Sequence, residues 1–285
     1  MSKKNKNDTI KTMRQKKMGN TLMYGAIIGD IVGSAYEFSP VFRNKPESFD
    51  FPLFSSSSAY TDDTIMTCAI ASALLEKKDV SETMRQFSRD YVCQSGGYGT
   101  RFQDWLNNPK AEAYNSCGNG AGMRVSSVGY FAKNEDDCIR LSDKVTEVTH
   151  NHYEGMKAAR VVSLLIYHSL QGKDLSYLRK IAVSNYNINF DLEELRKNYE
   201  HSEICQTSVP EALYCFLSSK NFEDCLRRVN YIGGDTDTIG AMACAIASAY
   251  YRSIPSFMIE ECRKRLPSSL QQIIENVPLH LKDRE

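Results

Sequence analysis

The chain has 285 residues, 42% of them hydrophobic, and 35 basic side chains balanced by 35 acidic ones, so it can bury a sizeable core and carries no disordered, collagenous or coiled-coil bias. The zero net charge hides an asymmetry. Residues 1–20 hold Lys3, Lys4, Lys6, Lys11, Arg14, Lys16 and Lys17 against Asp8 alone, which leaves 28 basic and 34 acidic side chains, a balance of −6, for the rest. A mildly acidic body argues against nucleic acid as the main ligand.

The basic leader, residues 1–20, has no apolar stretch of secretory type and is Lys- and Asn-rich where transit peptides are Arg- and Ser-rich, so a solvated, disordered tail is expected. Residues 21–285 are expected to form one domain, since no Pro/Gly/Ser-rich linker divides them, and no run reaches the length of a membrane span. Nine cysteines with no C-x-x-C pair indicate neither a disulfide framework nor a zinc site, and fit a reducing, cytoplasmic setting. Cys68, Cys215 and Cys244 sit in apolar helical patterns, where a thiol acts as a small hydrophobe.

Apolar residues recur at three- and four-residue spacing, as in Ile65, Ala69, Ile70, Ala73 and again in Ala159, Val162, Ile166, Leu170, which is helical periodicity and predicts an all-α fold. Thirteen of the 16 glycines fall in four windows, residues 25–33, 96–99, 118–129 and 233–240. Gly25, Gly29 and Gly33, four apart along one helix face, predict close helix packing. Residues 39–60, with three prolines and the Ser55–Ser58 run, read as an ordered loop able to move. Ser95-Gly96-Gly97-Tyr98-Gly99 offers a turning backbone and a ring that can stack on a base or pack on the core. In Ser116-Cys117-Gly118-Asn119-Gly120-Ala121-Gly122-Met123-Arg124, backbone N–H groups can face one concavity with a cation at its end, a pattern that binds phosphate oxygens and equally describes a surface turn. His150 and His152 precede a helix, where a neutral pair caps or hydrogen-bonds, or His150 contacts a ligand. Residues 191–203 read as a solvated helix.

The most informative feature is a near-repeat. Thr61-Asp62-Asp63-Thr64-Ile65 leads into Cys68-Ala69-Ile70-Ala71-Ser72-Ala73, and Asp235-Thr236-Asp237-Thr238-Ile239 leads into Cys244-Ala245-Ile246-Ala247-Ser248-Ala249. Acids at a helix start serve as caps and meet the positive end of the helix dipole. Two such starts on Ala-rich helices, which pack closely, would bring four carboxylates together in the interior, and these need cations. Carboxylate and hydroxyl oxygen, without imidazole or thiolate, suits hard divalent ions rather than zinc. Each half supplies two Asp and one Thr, enough for two ions whose remaining positions hold water and substrate oxygens.

These residues resemble the ADP-ribosylglycohydrolase family over about residues 24–266: Gly25-Ala26-Ile27-Ile28-Gly29-Asp30 through Glu37, Tyr60-Thr61-Asp62-Asp63-Thr64, Gly118-Asn119-Gly120 through Met123-Arg124, Val148-Thr149-His150 and Gly233-Gly234-Asp235-Thr236-Asp237-Thr238. The resemblance implies a compact orthogonal helical bundle in which Thr61, Asp62, Asp63, Asp235, Asp237 and Thr238 hold two Mg²⁺ or Mn²⁺. It implies that the glycine loops hold the diphosphate of ADP-ribose, through Gly97, Tyr98, Gly99, Ser116, Gly118, Asn119, Gly120, Met123 and His150, with the distal ribose over the metals. The expected reaction is hydrolysis of the glycosidic bond to a protein side chain or small molecule, by a monomer. Asp62 or Asp63 would accept the proton of the attacking water and Glu37 would control access to the metals and assist the leaving group. Because Glu37 precedes residues 39–60, that loop is a candidate lid. Gly122 stands where the family pattern suggests a slightly larger residue. A non-catalytic ADP-ribose binder and a two-metal phosphoesterase are the alternative readings.

Overall fold

A computed structural model describes residues 21–37 and 45–277, so the basic leader and the first part of the 39–60 loop lie outside the described residues. In chain order the helices are α1 (Tyr24–Glu37), α2 (Asp62–Glu76), α3 (Val80–Asp90), α4 (Thr100–Asn107), α5 (Gly120–Met123), α6 (Val128–Phe131) and α7 (Glu135–Thr146), then α8 (Tyr153–Leu170), α9 (Leu175–Asn185), α10 (Leu192–Asn198), α11 (Cys205–Leu217), α12 (Phe222–Ile232), α13 (Thr236–Tyr251), α14 (Ser256–Arg265) and α15 (Ser268–Asn276). Among the described residues there is no strand, and the only extended pairing is an isolated antiparallel bridge between Gly118 and Ile204. The all-α expectation holds. No described helix is long and apolar enough to cross a membrane.

The core is organised by α1 against α13. A side-chain carbon on Gly29 would come within 2.1 Å of Gly240 O, and one on Gly33 within 2.3 Å of Thr236 O, so the two backbones touch where glycine alone fits. Small residues continue the contact, with Ala241, Ala243 and Ala247 fully or almost fully buried. This is the close packing predicted from the glycine spacing and the Ala-rich body. Around the pair lie α2, α8, α11 and α12, whose buried Ile65, Ile70, Val162, Leu165, Leu213, Phe216 and Leu226 fill the remaining volume. Capping fixes where several helices begin: Asn134 accepts from Asp137 N, His152 from Glu154 N, and Asp191 from Glu193 N and Glu194 N.

Two local expectations change. The Ser55–Ser58 run is a closed turn: Ser58 is buried, its Oγ accepts from Ser55 N at 3.0 Å, and Arg265 Nε holds Ser58 O at 3.1 Å. Arg227 Nη1 likewise donates to Phe49 O (2.7 Å) and Phe51 O (3.0 Å), so residues 49–60 are pinned to the body. The solvated helix expected over 191–203 ends at Asn198, and the segment after it runs alongside the glycine loop, where Ile204 pairs with Gly118.

Candidate functional site

The site grows from one buried carboxylate. Asp30, fully buried in α1, accepts hydrogen bonds from Thr61 N (3.1 Å), Thr61 Oγ1 (2.8 Å), Thr64 N (3.0 Å) and Thr64 Oγ1. It thereby anchors the start of α2, which Thr61 also caps by accepting from Asp63 N at 3.1 Å. The second acidic start is tied to the same helix, since Thr236 Oγ1 donates to Gly33 O at 2.8 Å. Thr238 Oγ1 then bridges the two starts by donating to Asp63 Oδ2 at 3.2 Å.

The carboxylates converge as the near-repeat predicted. Asp63, Asp235 and Asp237 are each 3% exposed, and with Asp62, Thr238 and Glu37 they line a cavity of about 570 Å³. Burial, with the charges of Asp30 and Asp235 behind it, pushes Asp62 up to about 8. Burial also raises Asp235, and Asp30 itself, to about 6. Asp63 and Asp237 are raised well above the carboxylate range, by burial first and then by neighbouring acids. Asp63 Oδ1 is buried with no hydrogen-bond partner. An orphaned carboxylate oxygen among crowded acids suits a cation, and a donor set of oxygens fits a hard divalent ion.

Glu37 ends α1 with a side chain only 8% exposed. Its Oε1 pairs with His201 Nε2 at 3.0 Å, while its Oε2 is buried without a partner. His201, in the segment after α10, was not among the residues predicted from sequence. Its ring nitrogen and oxygens of Glu37 and Asp235 lie within 4.8 Å of one another. The bond to Glu37 raises His201 to about 9, so the imidazole carries a proton at neutral pH and balances nearby acid charge.

The rest of the cavity is built by the glycine windows. Gly97 and Gly99 line one wall, and Ser116, Gly118, Asn119, Gly120 and Met123 another. Asn119 Nδ2 donates to Asp235 Oδ2 and to Ser208 Oγ (3.1 Å), joining the glycine loop to the acidic start and to α11. Side-chain carbons on Gly118 or Gly120 would meet His150 Nε2 at 3.4 and 3.3 Å, so that nitrogen looks onto bare backbone. His150 Nδ1 faces Thr149 Oγ1 (2.7 Å) and Arg124 Nη2 (3.3 Å). Arg124 can only donate, and its Nη2 also donates to Thr149 Oγ1 at 2.6 Å, which turns the threonine proton to Nδ1. The histidine proton is therefore on Nε2, aimed at the cavity. Burial and the adjacent arginines push the His150 pKa well down, so the ring is neutral. His152 takes the other role and caps α8.

Arg124 carries the clearest signal for an anion. It is fully buried, it lines the cavity, and among the described residues no carboxylate lies within ion-pair reach of it. Burial pulls its pKa down to about 10, which leaves it a cation at neutral pH. An unpaired buried guanidinium is costly unless a ligand supplies the negative charge. Thr61 and Tyr98 are not among the residues lining the cavity, though Thr61 Oγ1 lies 3.5 Å from Asp63 Oδ2. Thr61 Oγ1 serves Asp30 and the α2 cap, and the Tyr98 ring packs edge-on to Phe102 at 5.6 Å. Gly122 is explained by Met242, whose sulfur a side-chain carbon would meet at 2.6 Å. Arg101, Phe102 and Tyr114 also line the cavity but lie in no pattern that sequence reading singled out.

Residues 15–284 match the model of the ADP-ribosylglycohydrolase family. The chain is similar to the ADP-ribosylhydrolase ARH3 of Homo sapiens, 28% identical with 80% of this chain and 83% of the relative covered, and to that of Mus musculus, 27% identical with 84% and 85% covered. It is also similar to the ADP-ribosyl-[dinitrogen reductase] glycohydrolase of Rhodospirillum rubrum, 24% identical over 75% of this chain and 77% of that one. A solved structure titled ADP-ribosylglycohydrolase-related protein complex shares the fold, with a TM-score of 0.69, 22% identity, and 94% and 98% of the two chains covered.

Proposed function

The chain belongs to the ADP-ribosylglycohydrolase family, enzymes that hydrolyse glycosidic bonds, and on that premise we propose that it is a metal-dependent hydrolase releasing ADP-ribose from a protein side chain or small molecule. The observation that carries the metal dependence is the buried acid cluster, in which Asp63 Oδ1 has no partner and the carboxyls of Asp62, Asp63, Asp235 and Asp237 are all raised. Asp62, Asp63, Asp235, Asp237, Thr61 and Thr238 would hold two Mg²⁺ or Mn²⁺. When bound, the ions supply positive charge that orients ribose hydroxyls and makes a nearby water more acidic.

The chain's own residues provide the remaining chemistry. Arg124 and the Nε2–H of His150 face the wall where the glycine loop leaves backbone bare, an arrangement suited to the diphosphate of ADP-ribose. That places the distal ribose toward the acids. Cleavage at its anomeric carbon builds positive charge on the sugar, which the Asp cluster and Glu37 stabilise. Asp62, the most exposed of the four aspartates, accepts the proton of the attacking water, or Asp63 does so from behind it. Glu37 Oε2, unpaired inside the cavity, is the group available to the departing acceptor.

The test is incubation with serine- and arginine-ADP-ribosylated peptides in Mg²⁺ or EDTA, with products identified by mass. Metal-dependent release of intact ADP-ribose supports the proposal, and the peptide that is cleaved identifies the linkage. AMP or inorganic phosphate instead would make the enzyme a phosphoesterase, and binding of ADP-ribose without cleavage of either peptide or of a small-molecule conjugate would make it a binder.

A further inference from the structure

The glycine loop meets the segment leading into α11 through the single bridge between Gly118 and Ile204. The hydrogen bonds flanking the bridge run from Asn119 N to Glu203 O at 2.8 Å and from Cys205 N to Cys117 O at 2.9 Å. This register sets Cys117 opposite Cys205, joined by the one backbone hydrogen bond from Cys205 N to Cys117 O, and facing residues of an antiparallel pair have Cα atoms about 4.5–5.5 Å apart. Disulfides span Cα separations of about 4.4–6.8 Å. The side of Gly118 that a Cβ would occupy faces His150, so alternation sends both cysteine side chains from the other face of the pair. Cys205 Sγ reaches across the pair to Gly118 O at 3.1 Å. Neither cysteine lines the cavity, and both thiols are free.

The two thiols differ in access. Cys117 is half-buried and open to a small oxidant, while Cys205 is fully buried, at the first position of α11. Cys225 and Cys244 are also neighbours, yet both are fully buried.

We propose that Cys117 and Cys205 are a redox-responsive pair that closes to a disulfide under a peroxide, tying the glycine loop to the first turn of α11. The Cys117 thiolate attacks the peroxide, becoming a sulfenic acid with release of hydroxide. Cys205 sulfur then attacks the oxidised sulfur, its proton and the departing oxygen leaving as water. Two thiols and one peroxide thus give one disulfide and two waters. Burial holds the Cys205 thiol far above its ordinary range, consistent with its acting second. The bond would restrain the loop beside Asn119, which reaches both Asp235 and Ser208 of α11. Resting on the proposed function, closure changes the affinity for ADP-ribose.

The full chain is treated with a stoichiometric amount of hydrogen peroxide, alkylated, digested and mapped by mass. The expected product joins the peptides carrying Cys117 and Cys205, with the loss of two hydrogens, is reversed by dithiothreitol, and is absent from both Cys117→Ser and Cys205→Ser. Calorimetry with ADP-ribose is expected to differ by about threefold or more between the reduced and oxidised wild type, and not at all between the same treatments of Cys205→Ser. A link at Cys225–Cys244 instead, a Cys117 sulfinic acid with no link, or a linked chain of unchanged affinity would overturn the proposal. If ADP-ribose binds neither form, the mapping still decides whether the pair closes, and only the nucleotide reading fails.

Discussion

Replacing Gly29 by Ala tests whether the contact of α1 with α13 sets the site. The added carbon would lie 2.1 Å from Gly240 O, 2.3 Å from Gly240 C and 2.7 Å from Ala241 N, all backbone atoms that no rotamer change can move. Ordinary contact needs roughly 3.4 Å or more, so the helices must part by about 1 Å along a seam that includes the equally tight Gly25 and Gly33. Overpacking a core by a methyl group costs about 1–3 kcal/mol, and a backbone obstacle puts this case at the upper end. For a chain of this size about 3 kcal/mol lowers Tm by about 6–12 °C. The same parting moves Thr236, which Gly33 O holds, and with it Asp235 and Asp237. Differential scanning fluorimetry should show the drop, and isothermal titration at a temperature where the variant is folded should show weaker Mg²⁺ binding. Gly97→Ala, whose added carbon meets nothing within 4 Å, is the control, expected to shift Tm by no more than about 1 °C. A Gly29→Ala chain with wild-type Tm and Mg²⁺ affinity would refute the claim that this contact positions the acids.

Asp237→Ala should remove turnover, with a loss of about 10³-fold or more in kcat and weaker Mg²⁺ binding; full activity would sink the metal assignment. The metal-free chain should lose stability as pH rises. Asp30 and Asp235 at about 6 and Asp62 at about 8 sit above the unfolded carboxyl range, so their contribution is complete below about pH 4 and fades as pH climbs through 6 and then 8. Mg²⁺ at about 100 times its Kd should add about 2.7 kcal/mol, or about 5–11 °C in Tm, and melting curves in EDTA and Mg²⁺ should separate more at about pH 8.5 than at about pH 5.5. Arg124→Met keeps the bulk of a buried side chain and removes its charge, so affinity for ADP-ribose, read by calorimetry, should fall by about tenfold or more while Mg²⁺ affinity is retained.

The two acidic starts were legible because each is a contiguous pattern of five residues, and the chemistry of carboxylates forces a conclusion once two such patterns meet. The glycine spacing in α1 and the Ala-rich body of α13 were legible for the same local reason. Asp30 was quoted only as part of a motif, since nothing in its spacing reveals that it accepts from Thr61 and Thr64, 31 and 34 residues away. His201 was hidden by its surroundings. It follows a run of exposed charges that resembles a solvated face, and only the turn after Asn198 carries it to Glu37. The serine run misled in the opposite sense, because a sequence of four small polar residues reads as loose until Arg265 is seen to hold two of its carbonyls.

A single helix sets both halves of the site. Asp30 of α1 fixes the start of α2, Gly33 O fixes the start of α13 one turn later, and Glu37 closes the same helix one further turn on, so the three lie within about 10.5 Å along its axis. The near-repeat is thus not symmetric in its support: one start is held by a carboxylate and the other by a carbonyl, and only the first carries a side-chain cap. A charged anchor directly behind Asp62 and Asp63 raises their pKa values further, whereas the neutral carbonyl behind Asp237 adds no such charge. The α2 acids therefore owe part of their proton affinity to a neighbour that faces away from the cavity. Asp30→Asn would remove that charge and two acceptor sites together, so proton uptake at Asp62 should shift to lower pH even where the cavity lining is unchanged.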